Sequence, residues 1–291
     1  MVFFAGFRRG PKTSFEAVRN EELKKKGATE MTDTRLLVRV DAEIAEQHLL
    51  KHPFYQDWQA GKLNRENLRL YAAQYYRHVE AFPVHLRTLA LRSTGALREL
   101  ILENLAEEEN PRAPHAKLWG DFATAVGVTE EQLRSSAPLP GTRRLLQAYA
   151  ETCRERSLEE AVAALYAYEA QVPEIATSKI DGLRRHYGIC SPEALAYFEV
   201  HQEADRMHRA AWRRWLETSE QDSEGADGVV ATAKEALGVL WSALDDIQGS
   251  DVLGRAKTFP PNRNTNGELS PGVGAEPWVV VEAPQHNQPR N

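Results

Sequence analysis

The chain has 291 residues, 42% of them hydrophobic and 27% charged, with a formal net charge of −6 at pH 7. That balance is ordinary for a globular protein with a buried core, and it offers no basic field for nucleic acid or anionic membranes. Two cysteines, Cys153 and Cys190, are too few for a disulfide framework and match no cysteine metal motif.

A reducing, cytoplasmic setting is therefore expected, and neither a signal-peptide core nor an apolar run of bilayer-spanning length is present. In chain order, residues 1–33 read as a flexible extension, mixing Gly, Pro and Lys24-Lys25-Lys26 without helical periodicity, with Met31 as an alternative start. Residues 34–249 carry apolar residues at helical spacing and no alternating run that would make a strand, so they predict one all-α domain of seven to nine helices. Helices are expected over about 35–50, 64–93, 95–109, 115–126, 129–135, 141–153, 157–187, 191–218 and 226–248. Thr129 and Gln132 form a capping-box start, Ser157 precedes an acidic first turn, Ser191-Pro192 puts proline at a first helical position, and Gly188 suits a left-handed C-terminal cap. Residues 250–291, rich in Pro, Gln and Asn, read as a disordered tail.

Three segments carry candidate chemistry. In Glu107-Glu108-Glu109-Asn110-Pro111-Arg112-Ala113-Pro114-His115, two prolines end one helix and the next begins near the histidine, so Glu108 and His115 converge across the break. An acidic helix end opposes the macrodipole; a cation would compensate it, and so would solvent. In the apolar, aromatic stretch from Ala164 to Ile175, Glu169 faces a buried environment that is costly for an unpaired carboxylate. Pro173, four residues on, removes a helical hydrogen bond and predicts a kink. Finally, His201, Asp205 and His208 lie at i, i+4 and i+7 of one helix and share a stripe; a solvated polar face gives the same pattern. Together these segments offer three carboxylates and three imidazoles, a donor set that suits iron or manganese and disfavours calcium. Helix bundles place two-metal carboxylate sites on facing helices in this way, although the Glu-x-x-His repeats of ferritin-like proteins are missing here.

The chain resembles the family of the chlamydial protein associating with death domains and its bacterial relatives, in the heme-oxygenase-like superfamily that includes the thiaminase II and pyrroloquinoline-quinone synthase families. The resemblance runs over about residues 40–247, through His52-Pro53-Phe54-Tyr55-Gln56-Asp57-Trp58, Tyr71-Ala72-Ala73-Gln74-Tyr75-Tyr76, Ala81-Phe82-Pro83, Glu108-Glu109-Asn110, Ala163-Ala164-Leu165-Tyr166 and the His201 to His208 stripe. It implies a heme-oxygenase-like helical bundle with Glu108, His115, Glu169, His201, Asp205 and His208 as ligands of two metal ions, Fe/Fe or Mn/Fe. It further implies an oxygenase that uses O2 and an external reductant to make 4-aminobenzoate for folate synthesis. The ring would come from the enzyme's own Tyr55, with Tyr71 a second matching tyrosine, and Lys179 would be the amino donor. A homodimer is the assembly the superfamily implies.

Read from the residues alone, Tyr55, Tyr71, Tyr75, Tyr76, Tyr166 and Tyr168 are all oxidisable candidates that would equally serve as core packing, and Lys179 becomes nucleophilic only if burial lowers its pKa. Competing readings are a pyrroloquinoline-quinone synthase-type oxidation or another dimetal oxidation of an external substrate, a thiaminase-like hydrolysis for which neither cysteine is well placed, and a non-enzymatic interaction module.

Overall fold

A computed structural model describes residues 36–219 and 221–252 as helices joined by short connections, with no strand among the described residues. The sequence readings of residues 1–33, of Met31 as a start and of the tail beyond Val252 lie outside the described residues. Helix α1 covers 36–46, a 3-10 turn follows at Leu49–Lys51, and α2 spans Pro53–Gln59. The chain continues through α3 (Arg65–Arg92), α4 (Gly95–Glu108), α5 (His115–Ala125) and α6 (Glu130–Ser135). It ends with α7 (Pro140–Glu155), α8 (Leu158–Glu169), α9 (Val172–His186), α10 (Pro192–Thr218) and α11 (Ser223–Val252).

The caps follow the local chemistry. Thr129 and Gln132, and likewise Ser157 and Glu160, exchange side-chain and backbone hydrogen bonds in capping boxes. Ser191 caps α10 with Pro192 in its first turn, and Gly188 takes φ 67° after α9. Two features differ from expectation. Helix α2 was not anticipated, because its N-cap is His52, which accepts from the Phe54 N–H through Nδ1 at 3.0 Å and is not a usual capping residue. The expected single helix over 157–187 is two helices, because Pro173 cannot donate to the Glu169 carbonyl. Instead of kinking, the chain ends α8 at Glu169 and restarts at Val172. Gln171 secures the break, accepting from Leu49 N at 2.7 Å and donating to the Ala167 carbonyl at 2.8 Å.

Helix α8 sits at the centre, packed between α10 and α11, while α11 also runs along α7 and α10 also packs on α5 and α9. Every residue from Ala161 to Glu169 is buried, as expected for a helix apolar all round. Helix α3 closes the other side against α4, α5 and α7. The approach of α7 to α11 requires Gly141, since a Cβ there would lie 2.5 Å from the Ser242 carbonyl oxygen. Trp58, Trp119 and Trp212 are fully buried, and each indole N–H has a partner: the Lys179 carbonyl, the Ala72 carbonyl and Glu169 Oε2, respectively. No helix among the described residues is long and apolar enough to cross a membrane.

Candidate metal centre

The six acidic and imidazole side chains singled out from the sequence come together in the interior as two groups of three. Glu108 ends α4 and His115 begins α5, so the proline-broken loop turns the two residues toward one another; His201, from the middle of α10, completes the first group. The second group joins Glu169, the last residue of α8, to Asp205 and His208 on α10. Within each group the donor atoms lie within 4.8 Å of one another. Five of the six residues are at most 9% exposed, and the His208 side chain is 11% exposed.

The donor atoms face one another without satisfying one another. His115 Nδ1 is 2.8 Å from Glu108 Oε2 in a geometry that makes no hydrogen bond, and Asp205 Oδ2 and His208 Nε2 are also buried without a hydrogen-bond partner. His208 Nδ1 stands 3.6 Å from both Glu169 Oε2 and Asp205 Oδ1, beyond hydrogen-bonding distance. An unsatisfied buried polar group costs roughly 1–3 kcal/mol. Burial pushes the Glu169 carboxyl up to about 8, with neighbouring Asp205 adding to the shift and His208 opposing it. Burial and then Glu108 drive Asp205 well above the carboxylate range, while burial and His115 drive His201 well below its usual value. A neutral imidazole at His201, crowded carboxylates and unpartnered buried polar atoms in one interior fit two divalent cations.

Further contacts fix these side chains. His201 Nδ1 donates to the Tyr197 carbonyl at 2.6 Å, so Nε2 keeps its lone pair, an arrangement typical of metal-binding histidine. Glu169 accepts from Asn104 Nδ2 at 3.0 Å and from Trp212 Nε1 at 2.7 Å. The sequence reading missed both donors. The available signal was helical spacing: Asn104 is four residues before Glu108 on α4, and Trp212 is four after His208 on α10.

Beside this centre lies a chamber whose wall includes His201, Lys179, Tyr55, Tyr75, Tyr168 and Tyr197. Lys179, on α9, is 4% exposed, and burial lowers its amine to about 7. Its Nζ lies 5.5 Å from the Tyr55 ring centre and 5.0 Å from those of Tyr71 and Tyr75. The Tyr55 and Tyr71 hydroxyls pair at 3.1 Å, and those of Tyr75 and Tyr168 at 2.5 Å. Burial raises the pKa of all four phenols, which keeps them protonated. Tyr76 and Tyr166 lie off the chamber wall; Tyr166 instead donates to Asp41 at 2.7 Å. Cys153 is buried with its thiol raised to about 12 by burial, and Cys190 is exposed outside the chamber, so neither serves as a nucleophile there.

Residues 69–241 match a protein family described as iron-containing redox enzyme. The chain is 38% identical over 212 residues to a 4-aminobenzoate synthase of Chlamydia pneumoniae, an alignment covering 72% of this chain and 94% of that protein. It is 32% identical over 200 residues to a pyrroloquinoline-quinone synthase of Xanthomonas campestris, covering 67% of this chain and 79% of the other. Among solved structures, a domain of unknown function with a heme oxygenase-like fold from Shewanella denitrificans superposes with a TM-score of 0.66 at 19% identity, over 80% of this chain and 98% of that one.

Proposed function

This chain belongs to the family of iron-containing redox enzymes and has the heme-oxygenase-like fold, and from that premise we propose that it makes 4-aminobenzoate by an oxygen-dependent reaction at a two-metal centre. The ring is taken from its own Tyr55 and the nitrogen from Lys179. In this reading Glu108, His115 and His201 hold one ion and Glu169, Asp205 and His208 the other, as Fe/Fe or Mn/Fe. The ions, when bound, supply the redox capacity for oxidation by O2, with electrons from an external reductant that is a small molecule or a protein. The working unit is a homodimer in the cytoplasm, and the product serves folate biosynthesis.

The observation that carries the reading is the juxtaposition of Tyr55, Lys179 and His201 on one chamber wall. An amine lowered to about 7 is largely unprotonated in mildly alkaline solution and has its lone pair available for bond formation. The hydroxyl pair with Tyr71 holds the Tyr55 ring in place, and the closed aromatic surroundings exclude water from it. Lys179 has no carboxylate among the residues of that wall to hold it as an ammonium ion.

The similarity to pyrroloquinoline-quinone synthases favours a second reading, oxidation of an external substrate. Against it, the chamber is already filled by the chain's own rings and leaves no room for a fused-ring molecule. Mass spectrometry after exposure to Fe(II), reductant and O2 decides between them. Self-use predicts no more than one 4-aminobenzoate per chain, loss of the aromatic side chain at position 55 and no product from Tyr55→Phe. Many product equivalents from an unaltered chain would overturn it.

A further inference from the structure

Tyr55 and Tyr75, with Leu49, line not one cavity but two. The second space, which Lys179 does not line, is bounded by the 3-10 turn, α2, α3, α7 and α11. Leu145 and the α11 stripe of Leu240, Ala243, Leu244 and Ile247 form half of its wall. Those α11 positions follow the i, i+3, i+4, i+7 pattern of a helix face directed at a core, yet the core here is left incompletely filled.

The few polar groups on this wall are engaged elsewhere. Gln74 Oε1 accepts from Leu139 N at 2.8 Å and from Thr142 Oγ1 at 2.9 Å, and its amide donates to the Ala137 carbonyl at 3.1 Å. The Tyr55 hydroxyl pairs with Tyr71 and the Tyr75 hydroxyl with Tyr168. A water molecule placed here would lack the two to four polar partners that hold buried water, and apolar cavities of this kind stay dry and take up xenon or other apolar guests. The space is of the size that one small molecule fills.

We propose that this cavity is a holding site for dioxygen, adjoining the reaction chamber at Leu49, Tyr55 and Tyr75, which line both. The assignment of the occupant rests on the reading of the centre as oxygen-using. An apolar diatomic is the guest that a dry cavity of this size and position accepts, and the shared residues Leu49, Tyr55 and Tyr75 set it directly beside the chamber.

Crystals of the metal-free wild-type protein pressurised with xenon test the site without any catalysis. A xenon peak between Leu145, Leu244 and Tyr75 is expected; an empty cavity, or ordered water within it, would overturn the proposal. Ala243→Leu, which fills the space, should abolish the peak. It should also lower the rate at which Fe(II)-loaded protein is oxidised at limiting O2, with recovery at high O2. Unchanged oxygen dependence in a variant that excludes xenon would overturn the delivery role. Iron oxidation is followed rather than product, so an oxygen dependence altered as expected in a protein that releases no 4-aminobenzoate supports this site while removing that product assignment.

Discussion

Glu169 receives one hydrogen bond on each carboxylate oxygen, from Asn104 and from Trp212, and so cannot turn without leaving a buried donor unpaired. Trp212→Phe keeps a smaller aromatic ring at this buried position and removes the shorter bond. Loss of such an orienting partner typically lowers metal affinity by roughly 10- to 100-fold. Calorimetric titration of metal-free protein with Fe(II) under anaerobic conditions should show that loss, whereas unchanged affinity would mean the indole only packs. Lys179 gives a pH prediction. Its pKa falls from an ordinary 10.5 to about 7 on folding, so between those values the unfolded chain holds a proton that the folded one lacks. Stability therefore rises with pH across that window, by at most ~1.4 kcal/mol per pH unit, and the slope vanishes below it, where both states are protonated and the cost of the buried ammonium is fully present. In urea unfolding of metal-free protein from pH 8 to 10, Lys179→Met should lose this rise relative to wild type; parallel profiles would show that the amine is not desolvated. The residues of the candidate site were readable in sequence because His, Asp and Glu at helical spacing on apolar faces are costly unless partnered. Asn104 and Trp212 were not, because a neutral amide and an indole on the same helices are indistinguishable from core.

At the scale of elements, the break between α8 and α9 couples the candidate metal centre to the segment bearing Tyr55. Gln171 is fully buried and ties the end of α8 to the 3-10 turn that leads into α2. Gln171→Ala leaves Leu49 N–H unpaired in the interior, at a cost of roughly 1–3 kcal/mol. The urea midpoint should fall accordingly, with an unchanged denaturant slope; metal uptake should persist because Glu169 lies before the break. A midpoint equal to wild type would show that the turn is held by other contacts. Most helices were legible because caps and prolines punctuate them, as at Thr129, Ser157 and Ser191. Helix α2 was not, since His52 is an unusual cap whose other ring nitrogen meets Asp245, 193 residues away, at 3.2 Å. Nor was the α8–α9 break, because local sequence does not distinguish a kink at Pro173 from a full restart braced by Leu49.

For the whole molecule, the two groups of three join α4, α5, α8 and α10, elements drawn from residues 95 to 218. Without cations their carboxylates stand buried beside one another, and burial first, with repulsion between carboxylates adding to it, raises the pKa values of Glu169 and Asp205. Bound cations would convert this repulsion into cross-links between helices distant in sequence. A ligand that binds only the folded state adds about 2.7 kcal/mol at a hundredfold excess over its dissociation constant, so metal removal by chelator should lower the melting temperature and re-addition should restore it. The effect should be local as well as global. Hydrogen exchange should quicken around Glu108, His115, Glu169 and the middle of α10, while the packing of α11 on α7, two helices that contain none of the six residues, should keep its protection. Uniform acceleration across all helices would mean that the centre is needed to form the core rather than to brace it. Unchanged exchange, together with an unchanged melting temperature, would mean that the six side chains hold no ion.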